Sequence, residues 1–202
     1  MKKIVFAVLF VSSIMSAQDM DVVKGDFGFL KDQKEINVEF DYSKMTLLKE
    51  KLTEGQYVAN RTKELNDKTK GTGDTWKKKW DSSKELIWNP KFLELINIVL
   101  VKENKEVSFQ EGLVNAKYTL IVETVWIYPG WDAAIMKQPA KVSTVLRFVE
   151  TSKKSNVLLE ISSDSAPGDQ WGNNFSNESR IGEGFAKTGK SVAKMLLKKA
   201  YK

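Results

Sequence analysis

Apolar and polar residues alternate without a break from Glu35 to Tyr42, where Ile36, Val38 and Phe40 lie on the apolar side. A period of two residues is typical of a β-strand with one buried face. The second half of the chain is rich in β-branched and aromatic residues, and it predicts three further strands that form an antiparallel meander. Their predicted bounds are 117–128, 141–150 and 157–163, with a shorter strand near 107–109.

Alternation within the long strand 117–128 also predicts which residues share a face. Tyr118, Leu120, Val122, Trp126 and Tyr128 fall on one face, and Thr119, Ile121, Val125 and Ile127 fall on the other. Because both faces carry large apolar residues, we expect both to be largely covered.

A period of three to four residues predicts three helices between the first strand and the meander. The first begins at Thr53, because Thr53 and Gln56 have the spacing of a capping box. The second extends over 74–88. Asn89 and Pro90 then have the order of an N-cap followed by proline at the first helical position, so a third helix is expected to follow after a bend.

A final helix is predicted over 179–200, with apolar residues at helical spacing on one side. These are Ile181, Phe185, Val192 and Leu196. Small residues beside this stripe, among them Gly182 and Gly189, allow the helix to lie close against a sheet. The segment 184–191 matches the letters of a phosphate-binding loop, but its position inside a helix favours a structural role.

Strands and helices in this order predict a single α+β domain over 18–202, in which an antiparallel sheet packs against helices. The sheet is expected to contain the three-strand meander and the N-terminal strand. No stretch rich in Pro, Gly and Ser indicates an internal linker. The segment 27–30 is a candidate partner strand for 35–42, and the acidic residues Asp19 and Asp21 indicate a frayed start.

Residues 1–17 are predicted to form a secretory signal peptide. Lys2 and Lys3 precede an apolar run over 4–11, and cleavage is expected after Ala17. The apolar run is shorter than the about 20 residues that a membrane span needs, and no later segment has comparable hydrophobicity. We therefore expect an exported protein, periplasmic or secreted, without a transmembrane segment.

The chain contains neither cysteine nor histidine. Their absence excludes disulfides, thiolate nucleophiles, Ser-His-Asp chemistry and the usual zinc sites. The net charge of +6 falls to about +4 without the two lysines of the signal peptide, which is too small to indicate nucleic acid. Trp76 and Trp80 flank three lysines, but at helical spacing the two rings are expected to pack inward. The sequence predicts no cofactor, no metal site and no enzymatic activity.

Two loops, 129–140 and 164–178, are expected to meet, because the turn after the long strand and the exit from the last strand lie at one end of an antiparallel sheet. Aromatic rings beside Asp, Asn and Gln groups suit a sugar or a peptide, although rings in such loops also serve simply to close the sheet end. The candidate contact residues are Trp131, Asp132, Asp169, Trp171 and Phe175. We expect a non-enzymatic binding or assembly factor of the bacterial cell envelope, with an envelope protein or a glycan as its partner.

Two alternatives stay open. A glycan hydrolase would use Asp132 with Asp164 or Asp169 as a carboxylate pair in the same loops. A peripheral membrane protein would dock through lysines of the last helix, which lie opposite its apolar stripe. These lysines are Lys187, Lys190, Lys194 and Lys198.

An initial strand and helices precede a meander that begins with the segment 115–122, Asn-Ala-Lys-Tyr-Thr-Leu-Ile-Val, and a helix rich in small residues closes the chain. This order resembles that of a group of bacterial envelope proteins of unknown function. It is more distantly similar to the compact N-terminal domain of TolB and related envelope lipoproteins. Lipoproteins carry a cysteine at the cleavage point, where this chain has Ala17 and Gln18. The resemblance implies an envelope location and supplies no catalytic residues.

Overall fold

A computed structural model describes residues 18–133, 136–168 and 176–201. The strands are β1 (Asp19–Gly25), β2 (Glu35–Asp41), β3 (Thr46–Leu47), β4 (Leu52–Thr53), β5 (Ser108–Gln110), β6 (Tyr118–Tyr128), β7 (Trp131–Asp132), β8 (Lys137–Gln138), β9 (Ala140–Glu150) and β10 (Lys153–Gly168). The helices are α1 (Glu54–Lys68), α2 (Thr72–Ser83), α3 (Asn89–Lys102) and α4 (Asn177–Lys199), and a π-helical segment, Lys84–Trp88, joins α2 to α3.

Eight of the described strands form one mixed sheet. Six lie side by side in the order β1-β10-β9-β6-β2-β5, and β3 pairs with β6 and β4. The meander β6-β9-β10 is antiparallel, but β2 runs parallel to both β6 and β5, so the prediction of an antiparallel sheet is wrong. Residue alternation reports which side chains are buried and not the direction of a strand. The helices between β2 and β6 carry the chain back across the sheet, which is the connection that parallel neighbours need.

A β-bulge in β6 changes the predicted faces of the long strand. The pairing between β6 and β9 shifts between Thr124 and Trp126, so one extra residue enters β6 and the alternation reverses beyond it. Ile127 is therefore fully buried in the core. Trp126 and Tyr128 lie on the opposite face, where their rings stack with centroids 6.4 Å apart. The prediction that both rings share a face with Leu120 is wrong.

The predicted capping box at the start of α1 is confirmed, with the side chains of Thr53 and Gln56 each bonded to the backbone of the other. The predicted N-cap at Asn89 is wrong, because Asn89 has helical backbone angles. Its side chain instead accepts a hydrogen bond from the Tyr42 hydroxyl at 2.7 Å. The helix continues through Pro90 because the preceding π-helical segment changes the hydrogen-bond pattern where proline has no N–H to offer.

The closing helix α4 is confirmed, and the segment 184–191 lies inside it. Its glycines allow very close packing. A Cβ atom on Gly189 would lie 2.4 Å from the backbone oxygen of Phe92 in α3, and one on Gly184 would lie 2.6 Å from the side chain of Val142 in β9. These residues therefore bring α4 against both a helix and the sheet, which is a structural role.

Aromatic side chains fill the core beneath the helices. Trp80 and Trp88 are fully buried, and their ring centroids are 5.3 Å apart. Trp76 lies partly buried at 5.4 Å from Trp80, so the prediction that Trp76 and Trp80 pack inward is confirmed. The three lysines between them are exposed.

Two predictions near the N-terminus are wrong. Residues 28–30 form a short 3-10 turn rather than a strand, and the buried Leu30 anchors this turn in the core. The acidic start is the edge strand β1, which pairs antiparallel with β10. Charged residues on an exposed edge strand discourage pairing with other chains. They also interrupt the apolar alternation by which a strand is recognised in the sequence.

Candidate functional site

The end of strand β6 leads into a tight turn that presents the hairpin β7-β8. Gly130 has a φ of +65°, and a Cβ atom there would lie 2.4 Å from the backbone oxygen of Gln138. Only glycine has both the freedom and the space for this turn. The turn places Trp131 and Asp132 at the rim of the sheet end.

Arg180 lies in the first turn of α4, and its side chain is hydrogen-bonded to the backbone of the tight turn at Gly130. Its Nε donates to the backbone oxygen of Pro129 and its Nη2 to that of Gly130, both at 3.2 Å. The residue is only 5% exposed, and this burial lowers the pKa of its guanidinium, while the nearby charge of Asp132 acts in the opposite direction. Arg180 thus ties the helix to the loop that carries the predicted contact residues.

A short chain of polar contacts extends from Arg180 to α1. Arg180 donates to the side-chain oxygen of Asn177, whose Nδ2 lies 3.4 Å from the Tyr57 hydroxyl. Burial raises the pKa of Tyr57 to about 12, so its hydroxyl keeps its proton and remains both a donor and an acceptor. The loop, α4 and α1 are therefore connected at this end of the molecule.

An open cleft of about 380 Å³ lies between these elements. Its lining combines aromatic rings with cationic, anionic and amide groups. The lining residues are Leu48, Tyr57, Arg61, Glu64, Tyr128, Pro129, Gly130, Trp131, Asp132, Asn177 and Arg180. We refer to it as the sheet-end cleft.

Three aromatic rings continue from the sheet-end cleft along the outer face of β6. Trp131 is 40% exposed, and its Nε1 donates to the side-chain oxygen of Gln138 at 3.1 Å. The Tyr128 hydroxyl donates to the same oxygen at 2.8 Å. Trp126 stacks on Tyr128 and is fixed by a 2.7 Å hydrogen bond to the Leu48 carbonyl. We name Trp126, Tyr128 and Trp131 the aromatic strip.

The structure describes two of the five predicted contact residues. Trp131 and Asp132 line the sheet-end cleft together. Asp169, Trp171 and Phe175 lie outside the described residues. Their role in contacts stays a prediction.

Sequence reasoning missed Arg61, Tyr57, Asn177 and Arg180. The first two belong to α1 and the others to α4, and both helices are remote in sequence from the loop that they meet. The signal that was present is an arginine on the first turn of the closing helix, just after a loop rich in Gly and Asn. Local patterns did not distinguish it from a surface cation.

Among the described residues, Asp132 and Asp164, one of the two carboxylate pairs considered for a hydrolase, do not line the same cleft. Asp164 belongs to β10 rather than to a loop, and its side chain accepts a 2.5 Å hydrogen bond from Ser143. It is absent from the described lining of the sheet-end cleft, which contains Asp132. The pairing of Asp132 with Asp169 lies outside the described residues.

The lysines of α4 are exposed, as the predicted surface helix requires. Lys187, Lys190, Lys194 and Lys198 all lie on the solvent side. Membrane docking through them stays a prediction. No helix among the described residues is long and apolar enough to cross a bilayer.

A larger cleft of about 630 Å³ lies between α1 and α2, away from the predicted loops. Val58 and Ala59 contribute apolar lining. Cations at its rim are paired, Lys77 with Asp81 at 2.5 Å and Lys84 with Glu54 at 2.6 Å. Within the described ranges no group of acidic residues has the arrangement of a metal site. Neither Trp131 nor Asp132 lines this cleft.

No protein-family model and no curated protein matches the chain. Among solved structures, the chain is similar to the PelC dodecamer from Paraburkholderia phytofirmans, with 9% identity over 89% of this chain and 95% of that chain and a TM-score of 0.41. A single-residue variant of the same dodecamer matches with 10% identity over 89% of this chain and 96% of that chain, at a TM-score of 0.40. At these scores neither function nor assembly is carried over from PelC.

Proposed function

We propose that this protein is exported and acts as a non-enzymatic binding factor of the bacterial cell envelope, with a glycan as its ligand. The observation that carries the proposal is the aromatic strip beside the sheet-end cleft. Half-exposed rings stand there next to arginine, carboxylate, amide and hydroxyl groups. The predicted signal peptide supports export.

A glycan suits this surface for a physical reason. One face of a sugar ring presents C–H groups, which pack against an aromatic ring, while its hydroxyls need hydrogen-bond partners at the edge. Trp131 offers an exposed ring, and Tyr128 and Asp132 offer polar groups within the same cleft.

Glu64 is one acid in the described lining, and hydrogen bonds from Lys68 and Arg61 lower its pKa below the usual value. Glycoside hydrolysis needs a carboxylic acid that keeps its proton near neutral pH, so Glu64 does not suit the role of proton donor. The hydrolase alternative rests on Asp132, the other acid of the described lining. If the protein is a hydrolase instead, a glycan held by the cleft will be cut and new reducing ends will appear.

A glycan array probed with the mature protein tests the proposal. Trp131→Ala removes an exposed ring and should lower the signal at least about tenfold without unfolding the protein. Met136→Ala is the matched control, because Met136 is exposed on the same hairpin and does not line the cleft. Equal signals from wild type and Trp131→Ala, or no glycan bound by the wild type, would overturn the proposal. Crosslinking of an envelope protein that depends on Trp131 would favour the protein partner.

A further inference from the structure

Helix α3 carries apolar residues on its outer side. Ile96 and Leu100 are fully buried on the inner side of the helix. Ile98 and Val101 lie on the opposite side, and Val101 is 65% exposed. Leu86, in the π-helical segment before α3, is 72% exposed. The outer side of a surface helix is ordinarily polar, so exposed apolar residues grouped along this one indicate an interaction surface.

Helix α4 lies beside α3, and its outer side faces the same way. A Cβ atom on Gly182 of α4 would lie 2.9 Å from the side chain of Lys91 in α3, and Lys91 forms an ion pair with Glu183 across the two helices. Phe92 of α3 and Phe185 of α4 are both fully buried in the same core. Because both helices bury one side in this core, their opposite sides form one outer surface.

Exposed lysines occupy the outer side of α4. None of them forms an ion pair with a residue that the structure describes, in contrast to Lys91. They are Lys187, Lys190, Lys194 and Lys198. Lys102, exposed at the end of α3, adds a further cation. We name these five lysines, together with Leu86, Ile98 and Val101, the α3–α4 surface.

An anionic lipid bilayer fits both parts of the α3–α4 surface. Apolar side chains enter the boundary between headgroups and acyl chains, while lysines are attracted by the phosphate groups of the lipids. Three exposed acids, Glu85, Glu94 and Glu103, lie along α3 or at its ends, so the attraction comes mainly from the α4 side. The lysines lie beside the apolar residues, and both groups can therefore meet the same membrane.

A second copy of this chain fits the α3–α4 surface less well. A two-fold contact uses the same patch of both copies. It would bring the lysines of one copy toward those of the other, and like charges repel one another. The apolar residues alone would suit such a contact, but the lysines would oppose it.

We propose that the α3–α4 surface binds an anionic phospholipid membrane peripherally. The proposal combines the lysines of α4 with the apolar outer side of α3, and it does not depend on a glycan ligand. No residue in the described lining of the sheet-end cleft belongs to the α3–α4 surface. A protein bound in this way would keep that cleft available for its own ligand.

Vesicle sedimentation tests the proposal. The mature protein, residues 18–202, is mixed with vesicles of equal parts phosphatidylglycerol and phosphatidylcholine, or of phosphatidylcholine alone, at about 0.1 M salt. We expect binding to the anionic vesicles to be at least about tenfold tighter than binding to the neutral ones. Salt at about 1 M shortens the screening length from about 10 Å to about 3 Å and should weaken binding to the anionic vesicles by a similar factor.

Two double variants each remove one part of the surface. Leu86→Ser with Val101→Ser removes exposed apolar groups, and Lys190→Gln with Lys194→Gln removes two cations. Each double variant should bind the anionic vesicles at least about tenfold more weakly than the wild type. Since all four side chains are exposed, both variants should unfold at the same urea concentration as the wild type. If the serine variant nevertheless unfolds early, the glutamine variant decides alone.

Matched controls lie away from the α3–α4 surface. Val22→Ser with Val23→Ser changes two exposed valines of the edge strand β1. Lys49→Gln with Lys70→Gln removes two exposed cations in the turns before and after α1. Both controls should bind the vesicles as the wild type does.

Three results would overturn the proposal. The first is equal binding to neutral and anionic vesicles, or no binding to either. The second is wild-type binding by the variant that lacks Lys190 and Lys194. The third is a dimer in analytical ultracentrifugation that Leu86→Ser with Val101→Ser converts to a monomer, which would assign the surface to a second copy. None of these results concerns the aromatic strip, so the proposed glycan function stands or fails separately.

Discussion

At the scale of single residues, a buried carboxylate lies on the outer face of the sheet between two cations. The side chain of Glu123 is 3% exposed and forms ion pairs with Arg147 and with Lys44, the latter at 3.0 Å. Arg147 also donates to Glu160 at 2.7 Å. Burial alone would raise the pKa of Glu123, but the hydrogen bonds from Arg147 and Lys44 hold it below its usual value. The network therefore stabilises the folded state while Glu123 is ionised.

Arg147→Met should lower the free energy of unfolding by about 2–4 kcal/mol at pH 7, because it leaves Glu123 buried with one partner. Urea denaturation measures this loss. Without the hydrogen bonds from Arg147, the pKa of Glu123 is higher in the variant than in the wild type, so its carboxylate takes up a proton at a higher pH. The difference in the free energy of unfolding between wild type and variant should therefore narrow as the pH falls below 7.

Lys34→Met is the control for this prediction. Lys34 also forms an ion pair, with Glu106 at 2.6 Å, but both side chains are exposed. Water screens such an exposed pair, so Lys34→Met should change the free energy of unfolding little at any pH. A loss in Arg147→Met as small as that in Lys34→Met would show that solvent screens Glu123.

The role of a residue could be predicted from the sequence when its hydrogen-bond partner is close along the chain. The cap at Thr53 has its partner three residues away, and the sequence alone identified it. Arg180 bonds to Pro129 and Gly130, which are about fifty residues away, and no local pattern identifies such a contact. Trp131 and Asp132 were found because aromatic and acidic residues in a turn are informative without a partner. Their function stays a prediction.

At the scale of elements, the position of α4 depends on how closely its backbone approaches α3. Alanine is favoured over glycine inside a helix by about 1 kcal/mol. A Cβ atom on Gly189 would, however, lie 2.4 Å from the Phe92 backbone oxygen, and a backbone atom cannot rotate away. Gly189→Ala should therefore lower the free energy of unfolding by about 1–3 kcal/mol in spite of the better helix propensity.

Gly55→Ala is the matched control within a helix. Gly55 lies in the first turn of α1, and nothing lies within 4 Å of the position of an added Cβ atom. This variant should be as stable as the wild type or more stable by up to about 1 kcal/mol. Urea denaturation compares the two. If Gly189→Ala and Gly55→Ala have the same free energy of unfolding, α3 and α4 can move apart to accommodate the added methyl group without loss of stability, and the prediction is wrong.

The elements themselves were more predictable than their arrangement. Periodicity located α1, α4 and the strands of the meander, because one face of each is buried. It did not reveal the bulge in β6, since one inserted residue leaves the composition of the strand unchanged while moving Trp126 and Tyr128 to the other face. The aromatic strip exists only because of that bulge.

At the scale of the whole molecule, the mixed sheet determines where the candidate site lies. The helical connection from β2 to β6 allows these strands to run parallel, and α1 within this connection lines the cleft at the end of β6. Strand direction follows from long-range packing, which is why the sequence predicted the loop but not its neighbours.

Export is the prediction that concerns the whole chain. If residues 1–17 are a signal peptide, expression of the full chain in a Gram-negative bacterium should yield a protein whose first residue is Gln18, recovered outside the cytoplasm. The side chain of Gln18 is already part of the described fold, since it donates to Ser163 at 2.9 Å and accepts from Ser191 at 2.6 Å. Cleavage before Gln18 would leave both contacts intact.

Mass spectrometry of the fractionated cells measures the new terminus. Leu9→Arg places a charge in the predicted apolar run and should leave the uncleaved protein in the cytoplasm, because that run must enter the membrane for export. Val23→Arg is the control, since Val23 is an exposed residue beyond the cleavage point. Full-length wild-type protein in the cytoplasm would contradict export. It would also remove the envelope glycan as the natural ligand, whatever the aromatic strip binds in vitro.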